Sequence, residues 1–253
     1  TGFHGQCFNS TAALLADSAH CYSFDYRGYG DATLPHDWKV SWDGYGDDAQ
    51  TVAQHVANQS GPSIAFGHSM GGAALVMAAL RQPELFRALV LFEPIIFPPI
   101  TRESGNAGAP SPLSEGARRR RSTFASFDEA IANYSSKPPL NVMRPDALRA
   151  YVMHGFRAQH DGISIKCSPE HEARTYEMGA IHETWNDLPK LRVPVWLVSG
   201  EVIPHTPGAI AALIANEISG STLVQWTDLG HFGPMQDPQR FAQLIAQIDA
   251  ATQ

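Results

Sequence analysis

The segment SIAFGHSMGGAALVMAALRQP, at positions 63–83, decides the fold class of this chain. Its start is apolar and strand-like, and its second half carries Ala, Leu, Val and Met at helical spacing, so it predicts a strand followed directly by a helix. The junction, GHSMG at 67–71, fits the pattern G-x-S-x-G in the strand and helix context that this pattern requires. Small residues at Gly67 and Gly71 let the strand and helix approach closely while Ser69 is held in a tight turn. We therefore predict Ser69 as a nucleophile, the alternative being that the glycines only let the chain turn.

Apolar runs alternate with helical periods on either side of this segment. The pattern predicts strands at 21–25, 63–66, 88–92, 193–198 and 222–226, and helices at 45–58, after Ser69, at 208–217 and at 237–250. Such alternation is typical of an α/β protein with a doubly wound, mostly parallel sheet.

The pattern changes between residues 98 and 189. A stretch rich in Pro, Gly and Ser at 98–116 leads into segments that look purely helical. Ser126 with Glu129 fits a capping box, and Ser168 followed by Pro169 fits a helix start. We predict a helical cap at 98–189, inserted into a core formed by residues 1–97 and 190–253.

Composition limits the classes of partner. A chain of 253 residues with 43% hydrophobic and 17% charged residues can bury one sizeable core and a smaller subdomain. Its net charge of −7 disfavours binding to nucleic acid or to an anionic membrane. Four consecutive arginines at 118–121 are a local exception, which we interpret as an ion-paired or solvated helix face in preference to an anion site. We expect a small-molecule substrate, and a homodimer is compatible with the sequence.

The cysteines indicate a reducing compartment. Cys7, Cys21 and Cys167 are far apart and odd in number, so they predict neither a disulfide framework nor a zinc ribbon. No segment of the sequence is apolar for long enough to predict a membrane span, and no signal peptide is visible. A cytoplasmic location is therefore the expectation. Because the chain begins with Thr1 instead of Met, we also expect it to be the remainder of a longer polypeptide, from which an export signal could have been lost.

Several further segments carry a resemblance to a known family. They are GFHG at 2–5, FDYRGYGDA at 24–32, GHSMGG at 67–72, VLFEP at 90–94, LVSGE at 197–201 and DLGHFGPMQDP at 228–238. With these segments the chain resembles an α/β-hydrolase over nearly its whole length, as a serine esterase or lipase-like member. The resemblance implies a catalytic triad in the chain order nucleophile, acid, histidine, and Ser69, a carboxylate and His231 satisfy that order.

His231 lies between the last predicted strand and the closing helix, where the resemblance implies the catalytic base. A loop at the carboxyl end of a parallel strand lies on the same rim as Ser69, within reach of its proton. Other histidines are less well placed: His68 could shape the pocket, His4 could line the oxyanion loop, and His205 follows the penultimate strand.

The acid departs from the commonest family pattern. The family typically places an Asp after the strand at 193–198, in Gly-Glu-x-Asp, but Ile203 stands at that position here. Glu93, at the end of the strand in ALVLFEP, is the alternative that we favour, because a carboxylate directly after a buried strand needs a partner and a charged His231 could supply it. Glu201 remains open, as do Asp228 and Asp237.

The remaining site predictions concern the oxyanion hole and the pocket. The backbone N–H of Met70 follows the nucleophile at a helix N-terminus, and the resemblance implies a second donor near Gly2 or Phe3. Pocket candidates are His68, Phe97 and Phe232. Asp25, Arg27, Gly28 and Gly30 match the structural turn of the family and are interpreted as scaffold. Motifs for a metal or a nucleotide cofactor are missing from the sequence, so neither is expected.

Together these features predict a cofactor-independent serine hydrolase that cleaves a carboxylic ester or lactone of a small to medium, largely apolar substrate. Related chemistry and folds leave alternatives open: a carbon–carbon bond hydrolase of diketones, a non-catalytic ligand receptor, and a cofactor-free oxygenase. The fold alone does not select among them.

Overall fold

A parallel sheet forms the centre of the molecule. The computed structural model describes residues 1–99, 107–204 and 206–252. Within these ranges the strands are β1 Ser63–His68, β2 Phe86–Phe92, β3 Thr123–Phe124, β4 Phe156–Gln159, β5 Gly162–Ile165, β6 Val195–Ser199 and β7 Thr222–Gln225. Strands β1, β2, β6 and β7 lie side by side in that order, and all neighbours are parallel. The sheet confirms the α/β prediction.

Both faces of this sheet are covered, and β2 shows why. Residues 88–92, Ala-Leu-Val-Leu-Phe, are all fully buried, as expected for a parallel strand with helices on either side. Leu89 and Leu91 belong to a hydrophobic cluster with helices from the first half of the chain. Val90 and Phe92 point to the opposite cluster, which contains Phe241 from the last helix. The sheet is therefore doubly wound.

The helices have the following bounds in the described ranges: α1 Asn9–Leu15, α2 Trp42–Ser60, α3 Met70–Arg81, α4 Pro112–Arg118, α5 Phe127–Ser135, α6 Pro145–Gly155, α7 Pro169–Met178, α8 Thr184–Asp187, α9 Pro207–Glu217, α10 Gly233–Gln236 and α11 Pro238–Ala251. Short 3-10 turns occupy Gly5–Phe8, Pro83–Leu85, Leu140–Val142 and Leu188–Lys190. The predicted helices at 45–58, 208–217 and 237–250 correspond to α2, α9 and α11. None of the described helices combines the length and the apolar character that a membrane crossing needs.

The strand predicted at 21–25 is the exception among the core elements. These residues carry no strand assignment and begin with exposed side chains. A strand exists only when another backbone pairs with it, and in the described chain β1 pairs on one side, with β2. Asp25, at the end of the segment, instead accepts hydrogen bonds from the backbone N–H groups of Gly5 and Asp31, each at 2.8 Å.

The segment between β2 and β6 is mostly helical but contains a second sheet. Ser126 and Ser168 cap α5 and α7, their hydroxyls accepting from the backbone N–H groups of Glu129 and His171, both at 3.1 Å. Strands β3, β5 and β4 form an antiparallel sheet in that order, so the expectation of a purely helical segment is wrong in this respect. A third hydrophobic cluster joins this segment to Phe3 and Phe232. The division into a core of 1–97 and 190–253 and a cap of 98–189 stays a proposal, since residues 100–106 lie outside the described ranges.

Candidate active site

Ser69 lies at the turn between β1 and α3. Its backbone has φ 55° and ψ −121°, a conformation that L-residues rarely adopt and that marks functional turns. Its residue surface is 7% exposed. Because Met70 is the first residue of α3, its N–H has no acceptor within the helix. The strained turn that G-x-S-x-G predicts is thus present at Ser69.

The glycines around Ser69 differ in how closely they are packed. A Cβ on Gly67 would lie 2.7 Å from Gly72 Cα, and a Cβ on Gly72 would lie 2.9 Å from Pro94 Cβ. At Gly71 the nearest atom to such a Cβ would be a ring carbon of Tyr26 at 3.6 Å, an ordinary contact. The predicted requirement for a small residue is therefore met at Gly67 but is wrong for Gly71, since the close approach involves Gly72.

Three side chains form a hydrogen-bonded chain at the carboxyl ends of the strands. His231 Nε2 is 3.2 Å from Ser69 Oγ, and His231 Nδ1 is 2.5 Å from Glu93 Oε2. For Nδ1–H to donate to the carboxylate, Nε2 must be the unprotonated nitrogen, which can accept the hydroxyl proton of Ser69. The structure thus brings together the serine, the histidine and the carboxylate that the sequence analysis favoured.

Glu93 is held by its neighbours on both oxygens. It is 2% exposed, and its Oε1 accepts from the backbone N–H of Gly200 at 2.8 Å. Its own backbone has φ 45°, a second strained position one strand away from Ser69. Strain at a buried carboxylate persists only when its surroundings hold it in place. The hydrogen bond from Gly200 and the contact with His231 supply that constraint.

Main-chain hydrogen bonds tie the two strained turns together. The N–H of Ser69 donates to Phe92 O at 2.9 Å, and the N–H of Ile95 donates back to Ser69 O at 3.2 Å. The N–H of Glu93 donates to Val198 O on β6 at 3.0 Å. The spacing between nucleophile and carboxylate is therefore fixed by the backbone of adjacent strands.

The other candidate carboxylates lie elsewhere. Glu201 is exposed, and its backbone N–H donates to Leu229 O at 2.7 Å. Asp228 forms a bidentate pair with Arg240 at 2.9 and 3.0 Å. Asp237 caps α11, its side chain accepting from the backbone N–H of Arg240. Among the described residues, Glu93 is the carboxylate within hydrogen-bond distance of His231.

His68 supports His231 from the side. Its Nε2–H donates to the backbone carbonyl of His231 at 2.8 Å, and the two rings are 4.8 Å apart. Packing among the rings of Phe3, Phe92 and Phe232 partly buries the imidazole. This burial, and then the proximity of His231, lower the pKa of His68 well below its ordinary value of about 6.5. His68 is therefore neutral and adds no positive charge beside His231.

The remaining site predictions concern Gly2, Phe3, Phe97 and His205. Gly2 has φ 75°, which suits glycine, and the ring of Phe3 packs on that of Phe232 with centroids 5.6 Å apart. Gly2 and Phe3 as oxyanion donors stay predictions. Phe97 is half-buried four residues beyond Glu93, and its place in the pocket likewise stays a prediction. His205 lies outside the described residues.

The arginine run at 118–121 is ion-paired, as the sequence analysis expected, but the predicted helix face is wrong, since α4 ends at Arg118. One member of the run is also unlike the others. Arg118 pairs with Glu170 and Glu177, and Arg121 with Glu129. The side chain of Arg120 is only 14% exposed and pairs with Glu172, itself 8% exposed, at 2.6 Å. Nothing in the sequence distinguishes Arg120 from its neighbours, because its burial depends on where α7 packs.

Comparison with known proteins identifies relatives in sequence and in fold. The chain is 26% identical over 192 residues to the pimeloyl-[acyl-carrier protein] methyl ester esterase of Aromatoleum aromaticum, an alignment that covers 74% of this chain and 73% of that protein. The structure of an E-2-(acetamidomethylene)succinate hydrolase superposes with a TM-score of 0.76 at 20% identity, covering 98% of this chain and 88% of the other. A thermophilic esterase from Thermogutta terrifontis superposes with a TM-score of 0.69 at 20% identity, covering 99% and 86%. These two structures share the fold.

A family model settles the classification. The model described as the alpha/beta hydrolase family matches residues 1–244, which span both the strained serine turn and the histidine loop. The doubly wound sheet, the nucleophile turn after β1 and this match agree, and the chain belongs to the alpha/beta hydrolase family.

Proposed function

We propose that this chain is a serine hydrolase that cleaves a carboxylic ester or lactone through an acyl-enzyme. The observation that carries the proposal is the chain of hydrogen bonds from Glu93 through His231 to Ser69. In the first step, Ser69 Oγ attacks the carbonyl carbon while His231 Nε2 takes the hydroxyl proton. Glu93 holds the imidazole in the required tautomer and stabilises the imidazolium that forms.

The oxyanion of the tetrahedral intermediate would be stabilised by backbone donors. The N–H of Met70 at the start of α3 is one, and the N–H of Gly2 or Phe3 is the proposed second. His231 then returns its proton to the leaving alcohol, which completes acylation. Water, activated by the same histidine, attacks the acyl-enzyme, and its proton passes through His231 back to Ser69.

The surroundings of the triad support an apolar acyl group. The rings of Phe3 and Phe232 lie beside His68 and His231, and Tyr151 packs on Phe3 with centroids 5.0 Å apart. Such rings bind hydrocarbon without requiring a charged partner. We therefore propose small to medium, largely apolar esters as substrates. A cytoplasmic location, supported by the free thiols of Cys7, Cys21 and Cys167, and a homodimer are likewise proposals.

Intact-mass kinetics with a fluorophosphonate test the proposal. The wild-type protein is expected to gain one adduct, located at Ser69 by peptide mapping, and Ser69→Ala is expected to gain none. A series of p-nitrophenyl esters of increasing acyl length, together with a diketone, then separates the candidate reactions. Faster turnover of the diketone would favour a carbon–carbon hydrolase, and no adduct at Ser69 would overturn the serine-hydrolase proposal in favour of a receptor or oxygenase.

A further inference from the structure

The loop that carries Gly2 and Phe3 is held by a polar cluster from the segment between β2 and β6. The cluster consists of Arg120, just after α4, Tyr151 on α6 and Glu172 on α7. Arg120 Nη1 is 2.6 Å from Glu172 Oε2, and Arg120 Nη2 donates to the hydroxyl of Tyr151. All three side chains are buried or nearly so, and they come from three different helical regions.

Three successive residues of the loop each contact a member of this cluster. At Gly2 a Cβ would clash with the carboxylate of Glu172, so the Gly2 backbone lies directly against that side chain. Next, the ring of Phe3 packs on the ring of Tyr151 at 5.0 Å. His4 Nε2–H then donates to the backbone carbonyl of Tyr151 at 3.0 Å. The cluster therefore fixes the loop at every residue from 2 to 4.

The charges of Arg120 and Glu172 compensate each other beside the loop. A lone carboxylate beside Gly2 would repel negative charge that develops nearby, and repulsion is strong where water is excluded. Because Arg120 is always protonated and contacts Glu172 directly, the pair is neutral as a unit. The guanidinium of Arg120 also lies 5.8 Å from the ring centroid of Tyr151, and this contact helps to hold it in place.

We propose that Arg120, Glu172 and Tyr151 are positioning residues for the oxyanion hole: they hold the backbone of Gly2 and Phe3 in the geometry that stabilises the tetrahedral intermediate. This inference rests on the proposed serine-hydrolase function. The residues act through the loop and do not touch the substrate. Loss of one oxyanion donor lowers kcat about 100-fold to 1,000-fold in other hydrolases, so a displaced donor is expected to have a smaller effect in the same direction.

The chain offers a matched control for this proposal. Arg118 joins α4 to α7 through Glu170 and Glu177, at 2.8 and 2.6 Å, as Arg120 joins the same region to Glu172. Arg118 contacts these two glutamates, whereas the pair of Arg120 and Glu172 lies against the loop at Gly2. Variants at 118 and 120 therefore both weaken the attachment of α7, but only those at 120 disturb the loop.

The experiment compares Arg120→Lys and Glu172→Gln with Arg118→Lys, after labelling at Ser69 has been established for the wild type. For each variant, kcat and KM for p-nitrophenyl butyrate, the Ki of a trifluoromethyl ketone and the Tm are measured. We expect Arg120→Lys to lower kcat about 10-fold to 100-fold with KM changed less than about threefold, and to raise the Ki in parallel. Arg118→Lys is expected to keep kcat within about twofold even where its Tm falls equally. Glu172→Gln nearly keeps the shape of the side chain but removes its charge, so it still tests the cluster if Arg120→Lys does not fold.

Three outcomes would overturn the positioning role. Equal losses of kcat in the Arg118 and Arg120 variants would mean that the ion pairs only attach the helices. A raised KM with unchanged kcat would make Arg120 a substrate contact. Unchanged kinetics and Ki in both Arg120→Lys and Glu172→Gln would mean that the loop keeps its conformation without the cluster. If the wild-type protein is not labelled at Ser69, it is the proposed function that fails, so the two failures are distinguishable.

Discussion

Replacement of Glu93 by glutamine tests whether this carboxylate completes the triad. Glutamine keeps the shape of the side chain, and its carbonyl can still accept from the N–H of Gly200. The group facing His231 Nδ1 can then become an amide N–H₂, which needs an acceptor. The ring proton of His231 would then move to Nε2. Once protonated, Nε2 could no longer accept the proton of Ser69.

The expected loss of rate in Glu93→Gln follows from the contact between His231 and Glu93. With Nδ1 and Oε2 only 2.5 Å apart, the centres of charge in the imidazolium–carboxylate pair are about 4 Å apart, and at an effective dielectric constant of about 20 their attraction is about 4 kcal/mol. About 1.4 kcal/mol corresponds to tenfold in rate, so this term alone predicts a loss of about 1,000-fold. The wrong tautomer adds to it, and amide replacements of this acid in other serine hydrolases lower kcat about 10,000-fold. We expect Glu93→Gln to reduce the rate by about 1,000-fold to 10,000-fold.

The assay is the rate of fluorophosphonate labelling at neutral pH, followed by intact mass, beside ester hydrolysis. Glu201→Gln is the matched control, because Glu201 is exposed. This variant is expected to be labelled at a rate within about twofold of the wild type. Circular dichroism and Tm show that each variant is folded. A folded Glu93→Gln protein that keeps more than a tenth of the wild-type rate would refute the reasoning, and a collapse in Glu201→Gln instead would move the acid to the loop after β6.

Three further predictions concern stability and are each read by urea denaturation. Gly72→Ala is expected to destabilise by about 1–3 kcal/mol, because the new Cβ would press on Pro94, whereas Gly71→Ala should be neutral or stabilise by up to about 1 kcal/mol, since alanine favours the helix; equal losses would contradict the packing argument. His68 has a lowered pKa in the folded chain, so below about pH 6.5 the unfolded chain binds a proton that the folded chain does not. Stability should therefore fall as the pH is lowered from about 7 to 5, and the slope should be shallower in His68→Gln; identical slopes would refute it. Asp25→Ala leaves the backbone N–H of buried Gly5 without its acceptor and should destabilise by about 1–2 kcal/mol, with Asp25→Asn in between; a loss below about 0.5 kcal/mol in the alanine variant would show that another acceptor replaces the carboxylate.

The parts of the fold that were predictable from the sequence are those set by neighbours along the chain. Strand β2 is an unbroken apolar run because helices cover both of its faces, and this run is visible without coordinates. The serine turn is likewise local, since five consecutive residues define it. Glu93 could be proposed because it follows β2 directly, although its bonds to His231 and Gly200 involve residues more than 100 positions away.

What could not be predicted depends on pairing between distant segments. The residues at 21–25 have strand character but no assigned partner in the described chain. Conversely, β4 and β5 pair across a two-residue turn at His160-Asp161, and this pairing contradicts the helical prediction for the region. Which glycine is tightly packed, and which arginine is buried, are decided by Pro94 and by Glu172, which the local sequence does not indicate.

The main-chain bonds between the two strained turns have a consequence for how this protein can change. Ser69 and Glu93 keep their spacing through backbone N–H and carbonyl groups, which every residue except proline supplies regardless of side chain. Substrate preference can therefore drift, in natural divergence or in a selected library, through substitutions in the segment between β2 and β6 and in the loop after β6. Outside the positions that hold the loop of Gly2 and Phe3, such variants would keep the nucleophile and the carboxylate at their present spacing.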